Sequence, residues 1–409
     1  MAKRQFGKNW FERNSKKTIL VILIVAIGCM ALITEKILAL RPAGRDYRVG
    51  VTRYIKLREV PPLYSELLYP TQDNMKMSDG LEVKPYRFRA DENGFIIPAK
   101  VHQHPDLTMA FLGGSTTECI YVEEKNRFAY RSGQLLEEKL HLKINSLNGA
   151  KSGNDSLHSI NILVNKLIPL KPDIVVMMHN INDLSVLLYD NTYWTDQQYR
   201  SPLLVKPPNR KTLGKDIEEV FHLTRDLTIP NLARAFKKFS AWFGGGKVDE
   251  FAHIRGKKIT INKPYLLSEF KMNLKTFIDI CRARHMTPVL MTMANRLKDK
   301  PDQFILNTTM KQIEQAQGIK YWEYKEIFDL FNQAILDVGA ENQVLVIDLA
   351  KEIPQENTYI CDLVHYNDNG CRLAASVISK NLEPLVTSLI QARGKDRLAR
   401  ASQKERLVN

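Results

Sequence analysis

From residue 107 onward the chain alternates strand-like and helix-like runs, and this alternation limits the fold more than any other feature. The strand-like runs are 107–112, 143–147, 173–178, 288–293 and 343–347; the helix-like runs are 126–140, 156–167, 266–284 and 369–390. Residues 173–178 read DIVVMM behind Pro172. A continuous apolar run of that length suits a strand buried on both faces, as in a parallel sheet flanked by helices. The expected fold is therefore a three-layer α/β/α arrangement with a parallel sheet, its chemistry at the carboxyl ends of the strands. This main domain spans 106–390. The alternation lapses in an insertion at 189–263, which holds Trp194, Pro202, Pro207-Pro208 and Gly244-Gly245-Gly246. The insertion reads as an excursion on the rim of the sheet: a lid, a substrate platform or a passive loop.

The chain has 409 residues, more than this domain needs, and a formal net charge of +14. Segments 1–17, 41–58 and 391–409 carry +5, +5 and +4, which leaves everything else neutral. A nucleic-acid reader places its basic residues in a stripe or groove on the folded surface. Here they flank an apolar run and decorate a terminus, so no nucleic-acid partner is expected. The apolar run, residues 18–34 (TILVILIVAIGCMALIT), contains no charge. As a helix it is about 26 Å long, and continuing through Ile37, Leu38 and Leu40 covers the ~30 Å core of a bilayer. One N-terminal transmembrane helix, a signal-anchor at 18–40, is thus expected to precede the α/β domain. A cleaved signal peptide fits less well, because the leading basic region is long and no A-x-A site follows. Lipoprotein cleavage before Cys29 is weakened by Ala26.

The denser basic cluster precedes the run, which keeps 1–17 in the cytoplasm as a basic tail and puts the main domain outside it. A single-pass protein of a bacterial inner membrane is the expectation. Residues 41–105 form a stem broken by Pro61-Pro62, Pro70 and Pro85, and 391–409 form a basic C-terminal tail. Within the stem, alternating Tyr86-Arg87-Phe88-Arg89, the turn Asp91-Glu92-Asn93-Gly94 and Phe95-Ile96-Ile97 read as a hairpin. Five cysteines are too few for a disulfide framework and leave room for one bridge in an oxidising compartment, its pair unspecified. There is no CxxC, and Cys361, His365 and Cys371 offer at most three ligands, so neither a metal nor another cofactor is expected.

Four short blocks carry the chemistry, three of them directly behind strand-like runs. The first is Gly113-Gly114-Ser115-Thr116-Thr117-Glu118, where glycines permit a sharp turn and leave Ser115 at the start of a helix. Taken alone, such a serine is equally an ordinary helix cap. The second runs Asn148-Gly149-Ala150-Lys151-Ser152-Gly153-Asn154-Asp155-Ser156, and Gly153 lets a backbone N–H approach a ligand without a Cβ in the way. The third is His179-Asn180-Ile181-Asn182-Asp183. There Asn182 can offer a side-chain N–H, Asp183 can brace loops, and His179 reads as a structural histidine. In the fourth, Asp362-Leu363-Val364-His365, an aspartate three residues before a histidine can hold one imidazole nitrogen and leave the other for a serine proton.

In this order the blocks resemble those of the SGNH (GDSL) hydrolase superfamily, over roughly residues 85–390. The resemblance implies Ser115 as nucleophile and Asp362 and His365 as the rest of a triad. It implies an oxyanion hole made of the N–H groups of Ser115 and Gly153 and the side chain of Asn182. Two positions depart from the pattern: Gly114 stands where the family has the Asp of Gly-Asp-Ser, and Asn180 stands where it has Gly. The stem motif DENGF and the single anchor are similar to bacterial membrane-anchored members, several of which act on surface polysaccharides.

Three functions remain open on these residues: an esterase removing short acyl groups, acetyl above all, from an envelope carbohydrate; an O-acyltransferase using the same acyl-serine; and a glycan-binding module without activity. The presence of both Ser115 and His365 argues against the last. A neutral catalytic region is not built to capture a strongly anionic polymer. The chain has no second long apolar run to line an acyl tunnel, which disfavours a lipase or lysophospholipase. Tyr193, Trp194, Tyr199 and Trp242 in the insertion suit sugar faces or ordinary packing. The expected partners are a membrane and an acylated carbohydrate or lipid substrate.

Overall fold

The structure is a computed structural model and describes residues 14–39, 52–55, 57–195, 200–206, 256 and 259–408. Most of the insertion, with Tyr199 and Trp242, lies outside the described residues. The chain divides into two units, residues 1–53 with 205–242, and residues 54–204 with 243–409. In the first unit, helix α1 (Ser15–Ala39) carries the apolar run. It is long and apolar enough to cross a membrane, and none of its 15–34 stretch is buried. Ile19, Leu23 and Ile27 are each more than half exposed.

The second unit holds the α/β domain. Its stem portion forms an antiparallel pair, β1 (Ser65–Leu68) with β2 (Tyr86–Arg89). A five-stranded sheet follows, made of β3 (Leu107–Gly113), β4 (Ile144–Asn148), β5 (Ile174–Met178), β6 (Thr287–Met291) and β7 (Leu345–Ile347). The strands lie in the order β4-β3-β5-β6-β7 and every pairing is parallel. All five residues of β5 are buried, as the DIVVMM run requires of a strand covered on both faces.

The chain leaves β3 in one direction along the sheet, to β4, and then works back through β5, β6 and β7. Right-handed crossovers place α4 (Phe128–Leu140) on one face, and α5 (Ser156–Ile162), α7 (Lys263–Ala283) and α8 (Tyr321–Glu341) on the other. The packing agrees: the last helix, α9 (Asp368–Val408), lies on α4, while α7 packs on α8 and α5. The direction reverses between β3 and β5, which makes a crevice at their carboxyl ends. There Gly113 pairs with Met178, so the loops leaving both strands start side by side.

Several elements differ from the sequence reading. Helix α8 spans a stretch assigned to no element, and α9 continues through the basic segment to Val408. Strand β2 takes β1 as its ladder partner and meets residues 95–97 only at its end, where the Ile97 N–H donates to the Arg89 carbonyl at 2.9 Å. The Asp91–Gly94 turn still reverses the chain: Asp91 Oδ1 accepts the N–H groups of Asn93 and Phe95 at 2.9 and 2.8 Å. Its return arm makes one bridge to Ala90 and another to Asn148, the last residue of the edge strand β4. Tyr193 is buried, with its hydroxyl on Asp183, and so is not a sugar platform; Trp194 is exposed.

Candidate active site

Ser115 follows β3 and opens the short helix α3 (Ser115–Glu118), with Gly114 as its cap. A Cβ at Gly114 would lie 2.3 Å from Asn182 Nδ2 and 3.1 Å from the carbonyl of Asn154. Glycine at this position lets the Asn182 amide and the Asn154 carbonyl come close to the turn that carries Ser115.

His365 reaches Ser115 from the loop before α9. Its Nε2 lies 2.7 Å from Ser115 Oγ, and its Nδ1 lies 2.7 Å from Asp362 Oδ2. The other carboxylate oxygen of Asp362 accepts the backbone N–H groups of Val364 and His365, each at 2.9 Å. These bonds fix the carboxylate, which in turn fixes the ring. Burial pushes the Asp362 carboxyl upward, but the adjacent His365 and the two N–H groups outweigh it, and its pKa falls below the usual value. For His365 burial acts to lower the pKa; the Asp362 charge and hydrogen bond overcome it and raise the imidazole above its ordinary value. The hydroxyl, imidazole and carboxylate thus stand in line, the geometry that lets a serine give up its proton as it attacks.

The second and third blocks flank Ser115. Gly153 sits at φ +76°, a left-handed conformation that glycine adopts without strain. Asn182 Nδ2 donates to the Asn154 carbonyl at 2.8 Å, which holds its carboxamide beside Gly114; a second N–H on the same nitrogen remains. Asp183 is fully buried and accepts from the Ser156 N–H at 3.0 Å, the Ser156 hydroxyl, and Tyr193 at 2.7 Å. It ties the second block to the third. His179 is buried against Ser159 at 2.7 Å, and burial pulls its pKa down to about 3, which keeps it neutral. Asn180, the second departure, has φ −167°, extended backbone open to any residue, and its amide bonds Phe328 and Asn332 on α8.

Two residues to which the sequence gave no role in the site touch the second block. Glu118, fully buried, accepts the Ser152 N–H at 2.8 Å and the Ser152 hydroxyl, and pairs with Lys151 at 3.0 Å. Arg58 donates to the carbonyls of Ser152 and Gly153 at 3.2 and 3.1 Å.

Beside Ser115 and His365 lies a cavity of about 350 Å³, walled by Met77, Leu81, Ile120 and Tyr121 among others. Met77 and Leu81 come from the stem, which is fastened to the loop before Asp362. Ser78 Oγ donates to the Cys361 carbonyl at 2.6 Å, and buried Arg296 holds Asp79 at 3.0 Å.

A serine, a histidine and an aspartate at the carboxyl end of a parallel sheet define a serine hydrolase of the Ser–His–Asp kind. The sequence model of the GDSL-like lipase/acylhydrolase family matches residues 111–373, which contain all four blocks, and the chain belongs to that family. It is an SGNH-type serine hydrolase acting on esters. Among solved structures it is similar to an acetylxylan esterase from Geobacillus stearothermophilus, with 14% identity, a TM-score of 0.37, and coverage of 68% of this chain and 94% of that one. It is also similar to a lipase/acylhydrolase from Enterococcus faecalis, with 14% identity, a TM-score of 0.38, and coverage of 68% and 96%. No curated protein sequence matches the chain.

Proposed function

We propose that the chain is a membrane-anchored esterase that removes short acyl groups, acetyl above all, from a cell-envelope carbohydrate through an acyl-serine intermediate. The observation that carries this reading is the 2.7 Å contact of Ser115 Oγ with His365 Nε2 at the mouth of a small cavity. Ser115 Oγ attacks the ester carbonyl while its proton passes to Nε2. The carbonyl oxygen, now negative, is received by the N–H groups of Ser115 and Gly153 and the amide of Asn182. The adduct collapses, and the sugar oxygen leaves with the proton from His365. Water then attacks the acyl-serine by the same route and releases the carboxylic acid.

A cavity of about 350 Å³ is near the lower end for ligand sites, which favours a short acyl group over a fatty chain. The neighbouring residues of the same segments line a broader polar groove of about 740 Å³, with Glu82, Lys84, Asp368 and Arg372 presenting donors and acceptors suited to sugar hydroxyls. An acyltransferase would use the same acyl-serine with a sugar hydroxyl in place of water. In a chain-length series of p-nitrophenyl esters, run beside an acetylated glycan, activity should be greatest on acetate and the glycan should lose acetyl groups. Activity climbing steadily to long chains, with the glycan untouched, would replace this reading with a lipase.

The anchor in this reading is α1, with the α/β domain outside the cytoplasm, supported by the denser basic cluster ahead of the apolar run. A Cys29→Ser, Glu138→Cys chain should be labelled by an impermeant maleimide in intact spheroplasts. Labelling that needs lysis reverses the topology.

A further inference from the structure

The peptide unit joining Ser152 to Gly153 has two ends with different jobs. Its N–H belongs to Gly153 and is the donor assigned above to the oxyanion. Its carbonyl belongs to Ser152 and accepts from Arg58 Nη2 at 3.2 Å, while Arg58 Nη1 donates to the next carbonyl, that of Gly153, at 3.1 Å. The guanidinium lies close against the glycine: a Cβ built on Gly153 would stand 2.9 Å from Arg58 Nη2. From the other side Glu118 takes the Ser152 N–H at 2.8 Å, together with the Ser152 hydroxyl. One residue of the loop is therefore held at its N–H by an anion and at its C=O by a cation.

Both charges reach beyond the loop. Glu118 lies in α3, three residues after Ser115, so one buried carboxylate links the nucleophile's helix to the loop that supplies the second donor. The Arg58 backbone carbonyl accepts from Asn154 Nδ2 at 2.9 Å, and the Asn154 carbonyl accepts from Asn182 Nδ2 at 2.8 Å. The third donor is thus one residue removed from the same arginine segment. A glycine at φ +76° supplies no stiffness of its own, and a loop of this kind keeps its N–H aimed only if its neighbours hold it. Hydrogen bonding to a peptide carbonyl also polarises the N–H of that unit, which makes it a better donor.

We propose that Arg58 and Glu118 are positioning residues, an opposite-charge clamp that aims the Gly153 N–H and the Asn182 amide at the oxyanion. This inference rests on the esterase reading and on its oxyanion donors. It also changes the meaning of Arg58, which the charge pattern alone groups with a basic cluster beside the membrane. The stem then completes the active site as well as linking it to the anchor.

The test uses the full-length chain in detergent, p-nitrophenyl acetate as substrate, and a trifluoromethyl ketone whose hemiketal mimics the tetrahedral adduct. Asn182→Ala sets the scale, because losing one oxyanion donor costs about 10²–10³ in rate. Arg58→Ala should lower kcat by about tenfold to a hundredfold, less than outright loss of a donor. KM should stay within about twofold, the ketone should bind more weakly by the same factor as the loss in kcat/KM, and Arg58→Lys should recover part of the loss. Glu118→Gln, which keeps an acceptor but removes the charge, should show the same pattern more weakly. Should Arg58→Ala fail to fold, Arg58→Gln and Glu118→Gln read the same quantities. Unchanged kcat and ketone affinity, or a loss confined to KM, overturns the clamp. So does a fall in Tm with full kcat in the folded fraction. Failure of the esterase reading looks different: wild type and Ser115→Ala would then turn over alike, whatever Arg58 does.

Discussion

Replacing Ser115 with alanine is expected to leave a folded protein whose turnover of p-nitrophenyl acetate is lower by about 10⁶-fold. A loss of that size corresponds to about 8 kcal/mol of transition-state stabilisation. It is large because the members of a triad act as a unit: without the hydroxyl, the His365 imidazole and its Asp362 partner have no proton to take. Folding should hardly notice. Ser115 is only partly buried, at the start of a four-residue helix, and removing one oxygen there leaves the sheet and its covering helices untouched. A surface-accessible change of this kind costs about 0.5 kcal/mol or less. Intact-protein mass measurement after exposure to a fluorophosphonate separates the two effects. The wild type should gain one adduct and Ser115→Ala none, with melting curves that nearly coincide. Labelling of the variant at the wild-type rate would remove Ser115 from the nucleophile's role.

The parts of this molecule that were legible in the sequence are those decided locally. The DIVVMM run needs no partner to show that it is buried on both faces, and the glycines at 113 and 114 mark a sharp turn wherever the chain goes next. The parts that were not legible depend on long-range pairing. Arg58 lies in a basic segment next to an apolar one, so its charge reads as a membrane contact until the fold brings Gly153, 95 residues away, against it. Glu118 reads as a helix residue until Lys151 and Ser152 arrive from 33 and 34 residues on. The turn at 91–94 announced a hairpin correctly in kind, but its strand found a partner upstream, at Ser65–Leu68, which offered four paired residues where the downstream arm offers one bridge. Helix α8 was legible and passed over: Tyr321, Tyr324, Ile327, Phe328, Phe331, Ile335 and Val338 mark one buried face at helical spacing. No capping side chain announces its start, since Lys320 makes no such bond. The close approach of Asn182, 68 positions later, to Gly114 is likewise visible only in the fold.

The second large effect concerns His365. Replacement by alanine should cost about as much as loss of the serine, since neither group works without the other. The intact enzyme should show a distinctive pH profile as well. Only neutral imidazole can take the serine's proton, so activity requires His365 to be deprotonated. The Asp362 carboxylate raises the imidazole pKa above its ordinary value of about 6.5 by favouring the charged ring. A raised pKa means the proton is held to higher pH. The acid limb of kcat/KM should therefore have its midpoint above about 6.5, with rate gained as pH rises through it and lost below it. Asp362→Asn removes the charge and leaves the ring less well oriented. The midpoint should move to lower pH while the plateau falls, and some activity should remain, because Ser115 and His365 are still in contact. The measurement is kcat/KM for p-nitrophenyl acetate between pH 5 and 9, corrected for spontaneous hydrolysis, for wild type, Asp362→Asn and His365→Ala. A flat acid limb in the wild type, or turnover by His365→Ala comparable to wild type, would take the general-base role away from His365. A midpoint that stays put in Asp362→Asn would show that the carboxylate orients the ring without setting its charge.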